Sequence, residues 1–156
     1  GWKWEVVLLE TRKFVGYYLY RGGGEVRRGV SVEAQRAFKD RVRQITRREV
    51  GRSLPSVVNE LNTYLRGWKG YFGRTQQVKL LGALDGWIRR RLRALQLKHW
   101  SRGPTIYRKL RIRGMQRDTA WSIACSPGGW WRRSLQLARH LPLAWFDSLG
   151  LVRLAT

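Results

Sequence analysis

Ser53-Leu54-Pro55-Ser56-Val57-Val58-Asn59-Glu60-Leu61-Asn62-Thr63-Tyr64-Leu65-Arg66-Gly67-Trp68-Lys69-Gly70-Tyr71-Phe72-Gly73 decides the fold. Leu54, Val57, Leu61, Leu65, Trp68 and Phe72 recur at helical spacing, with Val58, Tyr64 and Tyr71 widening the apolar face. Ser53 suits an N-cap, and Pro55 falls in the first turn, where its missing N–H costs little. The spacing predicts a helix from Ser53 to near Gly73. Gly67 and Gly70 weaken it by ~1 kcal/mol each against Ala, so they imply either close helix packing or backbone approach to a ligand.

Two further helices flank this one. The earlier is predicted from the N-cap Ser31 to about Val50, before Gly51, with Ala34, Phe38, Val42 and Ile45 on one stripe. The later begins after Thr75 and reaches Trp100, with Val78, Leu81, Leu84, Ile88, Leu92 and Leu95 as its buried stripe. Wide apolar faces and short links predict an antiparallel three-helix bundle. Upstream, Trp4 to Leu9 and Phe14 to Tyr20 read as strands, and Gly22-Gly23-Gly24 as a hairpin turn returning through Val26 to Val30. A phosphate-cradling reading of these glycines lacks both the following helix and the Gly-Lys-Ser/Thr ending. Downstream, Ile106 to Met115 reads as a basic helix and Asp118 to Ala124 as a helical turn. Ser126 to Gly129 is a loop, and short helices follow at Trp131 to Leu141 and Pro142 to Leu149. The expected fold class is mainly α, with a small N-terminal β-hairpin and a small helical C-terminal segment. The divisions fall at residues 1–30, 31–103 and 104–156.

The 156 residues carry 25 Arg and 7 Lys against 10 acidic residues, a formal net charge of +22. Residues 1–60 hold 13 basic and 7 acidic residues, and residues 61–156 hold 19 and 3. Such charge opposes compaction until a polyanion neutralises it, which makes nucleic acid the leading partner class. The single cysteine, Cys125, forms no internal disulfide, and with only His99 and His140 it builds no ordinary zinc site. No apolar run reaches the ~18 residues of a membrane span, so no membrane partner is expected. The charged opening lacks a signal-peptide pattern, and a cytoplasmic location follows by default. An opening without Met reads as a fragment or a processed chain.

The residues offer no catalytic constellation. Two-metal polymerases and nucleases need clustered carboxylates. Residues 61–156 offer only Asp85, Asp118 and Asp147, well separated in sequence. Asp85 reads as a helix partner for Arg89 at i+4, Asp118 as a helix cap, and Asp147 lies near a helix end. No nucleophile–base spacing is evident, so no catalytic residue, metal or cofactor is assigned.

The basic constellations carry the functional reading. Arg89-Arg90-Arg91-Leu92-Arg93 lies on the third helix, with Lys98 beyond it. Arg43 and Arg47 share a line on the first helix, and Arg66 and Lys69 lie on the second. A second cluster is Arg108, Lys109, Arg111, Arg113 and Arg117, and a third is Trp130-Trp131-Arg132-Arg133. Guanidinium groups pair bidentately with phosphates, and interleaved aromatics stack on unpaired bases. The plainer alternatives are solvated helix faces and core tryptophans, and Trp68, Trp87 and Trp145 are expected mainly in the core.

Five stretches carry a family resemblance: Phe14-Val15-Gly16-Tyr17; Arg36 to Thr46; Leu61-Asn62-Thr63-Tyr64-Leu65-Arg66-Gly67-Trp68-Lys69-Gly70-Tyr71-Phe72; Leu84-Asp85-Gly86-Trp87-Ile88-Arg89-Arg90-Arg91-Leu92-Arg93; and Leu141 to Leu151. From about residue 13 to its end the chain resembles the C-terminal part of group II intron reverse transcriptases, the intron-encoded maturases. The resemblance implies a palm remnant at 1–30 and a thumb or maturase-specific domain at 31–103. It further implies a basic nucleic-acid-binding segment at 104–156. Its partner would be group II intron RNA, which the domain helps to fold for splicing, while the ribozyme performs the splicing chemistry. In complete members the palm supplies reverse transcription for intron mobility, and the segment after the thumb contacts a DNA target. The polymerase motif Tyr-Ala-Asp-Asp is absent here, so this chain alone is not expected to be an enzyme. With no His- and Cys-rich extension after Thr156, second-strand DNA cleavage is not implied either. The alternatives are a thumb module served by a separate fingers and palm chain, or a relic that binds nucleic acid without specificity.

Overall fold

The computed structural model describes residues 16–47 and 51–155. The strand reading of Trp4 to Leu9 and the residues Phe14, Val15, Arg48 and Val50 lie outside the described residues. Within them the fold is mainly helical, with one antiparallel hairpin at the start. Strand β1 (Tyr17–Gly22) pairs with β2 (Glu25–Val30) in the register Tyr17 to Val30 and Gly22 to Glu25. Gly23 and Gly24 make the turn at φ values of 63° and 84°, a left-handed backbone that glycine adopts without steric cost.

Three long helices follow: α1 (Val32–Ile45), α2 (Leu54–Phe72) and α3 (Val78–Trp100). Ser31 and Ser53 accept hydrogen bonds from the N–H groups of Ala34 and Ser56, capping α1 and α2 as their sequences require. Helix α1 stops at Ile45, earlier than the expected Val50. The Thr46 hydroxyl donates back to Val42 O at 2.7 Å, and Arg52 Nη1 donates to Ile45 O at 3.3 Å, so the last turn is closed. Phe38, Val42 and Ile45 of α1 join Leu61, Leu65 and Trp68 of α2 and Leu84, Ile88, Leu92 and Leu95 of α3 in one core. Val78, expected on the buried stripe, is 65% exposed. It opens α3 beside the α2–α3 link, and the stripe starts one turn later at Leu81.

The hairpin is held by that link. Gln76 and Gln77 side-chain oxygens accept from the N–H groups of Arg28 and Val30 at 2.8 and 3.1 Å. The Thr75 hydroxyl donates to Arg28 O at 2.8 Å. Side chains thus complete the outer edge of β2 where a third strand would pair, which answers the marginal stability of an isolated hairpin.

A second core forms where α3 ends. Leu97 and Trp100 pack with Ile106 and Leu110 of α4 (Gly103–Ile112) and with Ala120 and Ile123 of α5 (Arg117–Cys125). Met115, Leu137 and Leu141 complete it. Helix α6 (Trp130–Ser134) lies along α3 and runs on into a single 3-10 turn at Leu135–Leu137. Helix α7 (Leu143–Ser148) then returns to the first core, where Phe146 and Leu154 are buried.

The closing tail is tied down by two buried polar residues. Asn62 Nδ2 donates to Gly150 O at 2.7 Å, and its Oδ1 accepts from Val152 N at 2.9 Å. Asp85 accepts from Leu154 N at 2.9 Å and Ala155 N at 2.9 Å. Asp85 therefore does not serve as the i+4 partner of Arg89. It sits on the buried side of α3, where backbone N–H groups replace the water that a carboxylate loses.

Candidate nucleic-acid interface

Helix phase and the two cores sort the sixteen predicted site residues by exposure. Arg43, Arg47, Arg66, Arg108, Arg111, Arg113 and Arg132 are exposed. Lys69, Arg89, Arg90, Arg91, Arg93, Lys98, Lys109 and Trp130 are half-buried, and Arg133 is 8% exposed.

Arg43 of α1 and Arg91 of α3 meet over one ring. Their guanidinium carbons lie 5.4 and 5.5 Å from the centroid of Trp87, and Lys39 Nζ lies 5.8 Å from it. Arg43 also pairs with Asp40 at 3.0 Å, and Arg91 Nε donates to the Thr46 hydroxyl at 2.8 Å. Trp87 packs its body against the first core and offers its π-face to three cations. Trp87 was expected mainly in the core, and it does pack there, but its cation partners were not foreseen. Its i+4 offset to Arg91 was the available signal, but the α1 partners depend on packing.

Arg90 stacks on Trp131 at 3.9 Å and donates to Trp131 O at 3.1 Å, which clamps α6 to α3. Arg93 donates to Leu141 O at 3.1 Å and lies 5.1 Å from the Phe146 ring. Burial, and then the charge of Arg89, pull the Arg93 pKa below its ordinary value. Arg89, Arg90, Arg91 and Arg93 thus diverge: three reach across to other elements, and only Arg89 remains on the α3 surface without such a bridge.

In the C-terminal region Arg133 donates to Ala124 O at 3.0 Å and Ser126 O at 2.6 Å, and stacks at 5.1 Å on Trp130. Its Nε is buried without a partner. Arg113 lies over Trp100 at 5.1 Å and donates to Lys109 O at 3.4 Å. Arg111 Nη1 donates to Met115 O at 2.8 Å. Arg132, one residue before the buried Arg133, faces solvent. Adjacent Trp130 and Trp131 divide between the second core and Arg90.

On α2, an ideal Cβ at Gly67 or Gly70 meets nothing within 4 Å. Of the two explanations offered by the sequence, close helix packing is removed. What remains is an exposed strip of helix backbone beside Arg66.

Among the described residues, no group of three or more His, Cys, Asp or Glu side chains is placed to hold a metal ion. No described helix is long and apolar enough to cross a membrane. Asp147 pairs with Arg153 at 3.1 Å, which separates it from Asp85 in role as well as in sequence.

Residues 35–114, about half of the chain, match the family model described as group II intron, maturase-specific domain. The matched span runs from within α1 to the second residue after α4, so α5 to α7 lie beyond it. No curated protein matches the chain.

Proposed function

The chain belongs to the family of the group II intron maturase-specific domain, and from that premise we propose that it binds group II intron RNA and assists its folding for splicing. The family match over residues 35–114 is the observation that carries this reading. The charge distribution supports it, because 19 basic residues against 3 acidic ones follow residue 60. The chain's part is recognition and scaffolding, and the RNA performs the splicing chemistry. A DNA target contacted by residues 104–156, and a separate fingers and palm chain, belong to the same reading as further partners.

The geometry supports two classes of basic residue. Arg43, Arg47, Arg66, Arg89, Arg108, Lys109, Arg111, Arg113 and Arg132 are the phosphate contacts. Arg90, Arg91 and Arg93 hold elements together through one or two of their five N–H donors. Arg133 is a structural clamp that sets the placement of Arg132. Lys69 donates to Arg153 O at 2.9 Å, which couples the tail to the exposed glycine strip of α2. Trp130 and Lys98 lie between the classes.

The test is RNA binding across a salt series, with an intron RNA from the same genome and a length-matched structured RNA. Intron preference that survives near-physiological salt supports the proposal. Equal binding that collapses together for both RNAs would leave charge without recognition. Substituting Arg66, Arg89 and Arg132 singly by Ala should weaken binding and lower the salt slope by about 0.7–0.9 per lost phosphate contact.

A further inference from the structure

The α4–α5 corner carries an open cleft of about 520 Å³, lined by Tyr107, Arg111, Gln116, Arg117, Asp118 and Trp121. That volume falls within the roughly 300–1,000 Å³ of small-ligand sites. Trp121 is 64% exposed, and Tyr107 meets it edge to face, with centroids 6.0 Å apart at 80°. This is a large aromatic surface left uncovered next to a well-packed core. Beneath it Ile106, Leu110, Met115, Ala120 and Ile123 are buried, so the cleft rests on a fixed floor.

The walls are fixed as well. Gly114 turns the corner at φ 87°, a conformation open to glycine at no steric cost. Met115 N then returns to Leu110 O at 3.1 Å, and Arg111 is anchored on Met115 O. Arg117 lies one turn before Trp121 on the same face of α5. The cleft therefore combines a stacking platform, two guanidiniums, an acceptor-only carboxylate and an amide that both donates and accepts. A peptide partner would use the aromatic ring or the charges. An unpaired nucleotide uses all of them at once: ring for base, guanidinium for phosphate, carboxylate for base edge.

We infer that this cleft holds one unpaired nucleotide of a single strand, stacked on Trp121 with its phosphate on Arg111 and Arg117. Asp118 and Gln116 read the base edge. Guanine is the preferred base, because its N1–H and N2–H offer a carboxylate two adjacent donors. The inference deepens the RNA-binding reading and rests on it. It adds a base-specific element that lies partly beyond the matched family span.

The test uses the full chain and fluorescence anisotropy with a labelled twelve-residue uridine strand carrying a central guanine, inosine or uridine, in ribo and deoxyribo forms. Trp121→Ala should weaken binding of the guanine strand about five- to hundredfold, and Trp121→Phe should retain most of it. Asp118→Asn should erase the preference for guanine over uridine, read as the ratio of the two strands' affinities for the same variant. The ribo and deoxyribo arms identify which strand supplies the base. If Trp121→Ala, folded as judged by circular dichroism, binds the guanine strand as wild type does, the cleft is not a nucleotide site. If it also weakens a blunt duplex equally, Trp121 serves general binding and the inference fails. Intact preference for intron RNA beside either failure leaves the RNA-binding proposal standing. A guanine effect without intron preference keeps the cleft and removes that proposal.

Discussion

Around the first core, side-chain acceptors share the holding of the chain with donors such as Thr75, Lys69 and the Asn62 amide. Asn62 and Asp85 take the backbone N–H groups of the closing tail, and Gln76 and Gln77 take those of β2. Around the second core, donors hold it: Arg90, Arg93, Arg111 and Arg133 reach the carbonyls of Trp131, Leu141, Met115, Ala124 and Ser126. The difference follows from what each region leaves unpaired. An extended tail and an edge strand present N–H groups, whereas short helices joined by tight links present carbonyls, in the last turns at Ala124 and Trp131 and in the links at Met115, Ser126 and Leu141. A chain rich in Arg has donors at hand for the second task. Part of a +22 charge is thus internal structure, and a count of basic residues overstates the nucleic-acid surface.

The sharpest way to break this comparison is to cut one apolar residue from each core. Leu92→Ala and Leu110→Ala should each cost about 2–5 kcal/mol in denaturant melts. Hydrogen exchange should show Leu110→Ala loosening α4 to α6 first, while Leu92→Ala loosens the whole molecule. Equal loss of protection everywhere would mean one cooperative unit, since α3 runs through both cores and Trp145 touches both.

The donor and acceptor clamps come next. Arg133→Ala leaves two carbonyls unpaired, and Asp85→Asn keeps one acceptor for two N–H groups; each should cost about 1–3 kcal/mol in the same melts. Arg132→Ala should leave stability unchanged and weaken RNA binding. Were Arg133→Ala the neutral change, the donor-held picture of the second region would be wrong.

Smaller, and opposite in sign, is the response of the exposed glycines. Gly67→Ala and Gly70→Ala should each stabilise α2 by about 0.5–1 kcal/mol, because a Cβ there meets nothing. If RNA lies along that backbone, affinity falls while stability rises. A rise in stability with RNA affinity unchanged would remove the strip from the interface.

The smallest effect is on pH. Burial, and then Lys98, hold the His99 imidazole below its ordinary value of 6.5. The unfolded chain therefore takes up this proton at higher pH than the folded chain does. Stability is complete above about pH 6.5 and declines as pH falls through the folded value. His99→Gln should flatten that slope in melts run from pH 7.5 to 5.

Helix positions were legible because apolar spacing and caps are local. Ser31, Ser53, Leu61, Leu65 and Leu92 stand where periodicity puts them, and the glycine turn forms the hairpin. Asp85 was misread because i+4 charge pairing is a surface rule, and only the tail, some seventy residues later, shows that its side of α3 is covered. Its place between Leu84 and Ile88 on the apolar stripe was the available warning. The Arg cluster of α3 was legible as charge but not as geometry. Consecutive residues on a helix point about 100° apart, so Arg90, Arg91 and Arg93 meet different neighbours.

The sequence by itself determined the helical class, the hairpin, the caps and the excess of positive charge, since each follows from residue type and short-range spacing. Only the tertiary structure decided which guanidiniums turn inward, that Trp87 gathers cations from two helices, and that Trp121 stands uncovered above a cleft. Those outcomes depend on which backbone carbonyls and rings distant segments bring within a few ångströms. No local pattern encodes that.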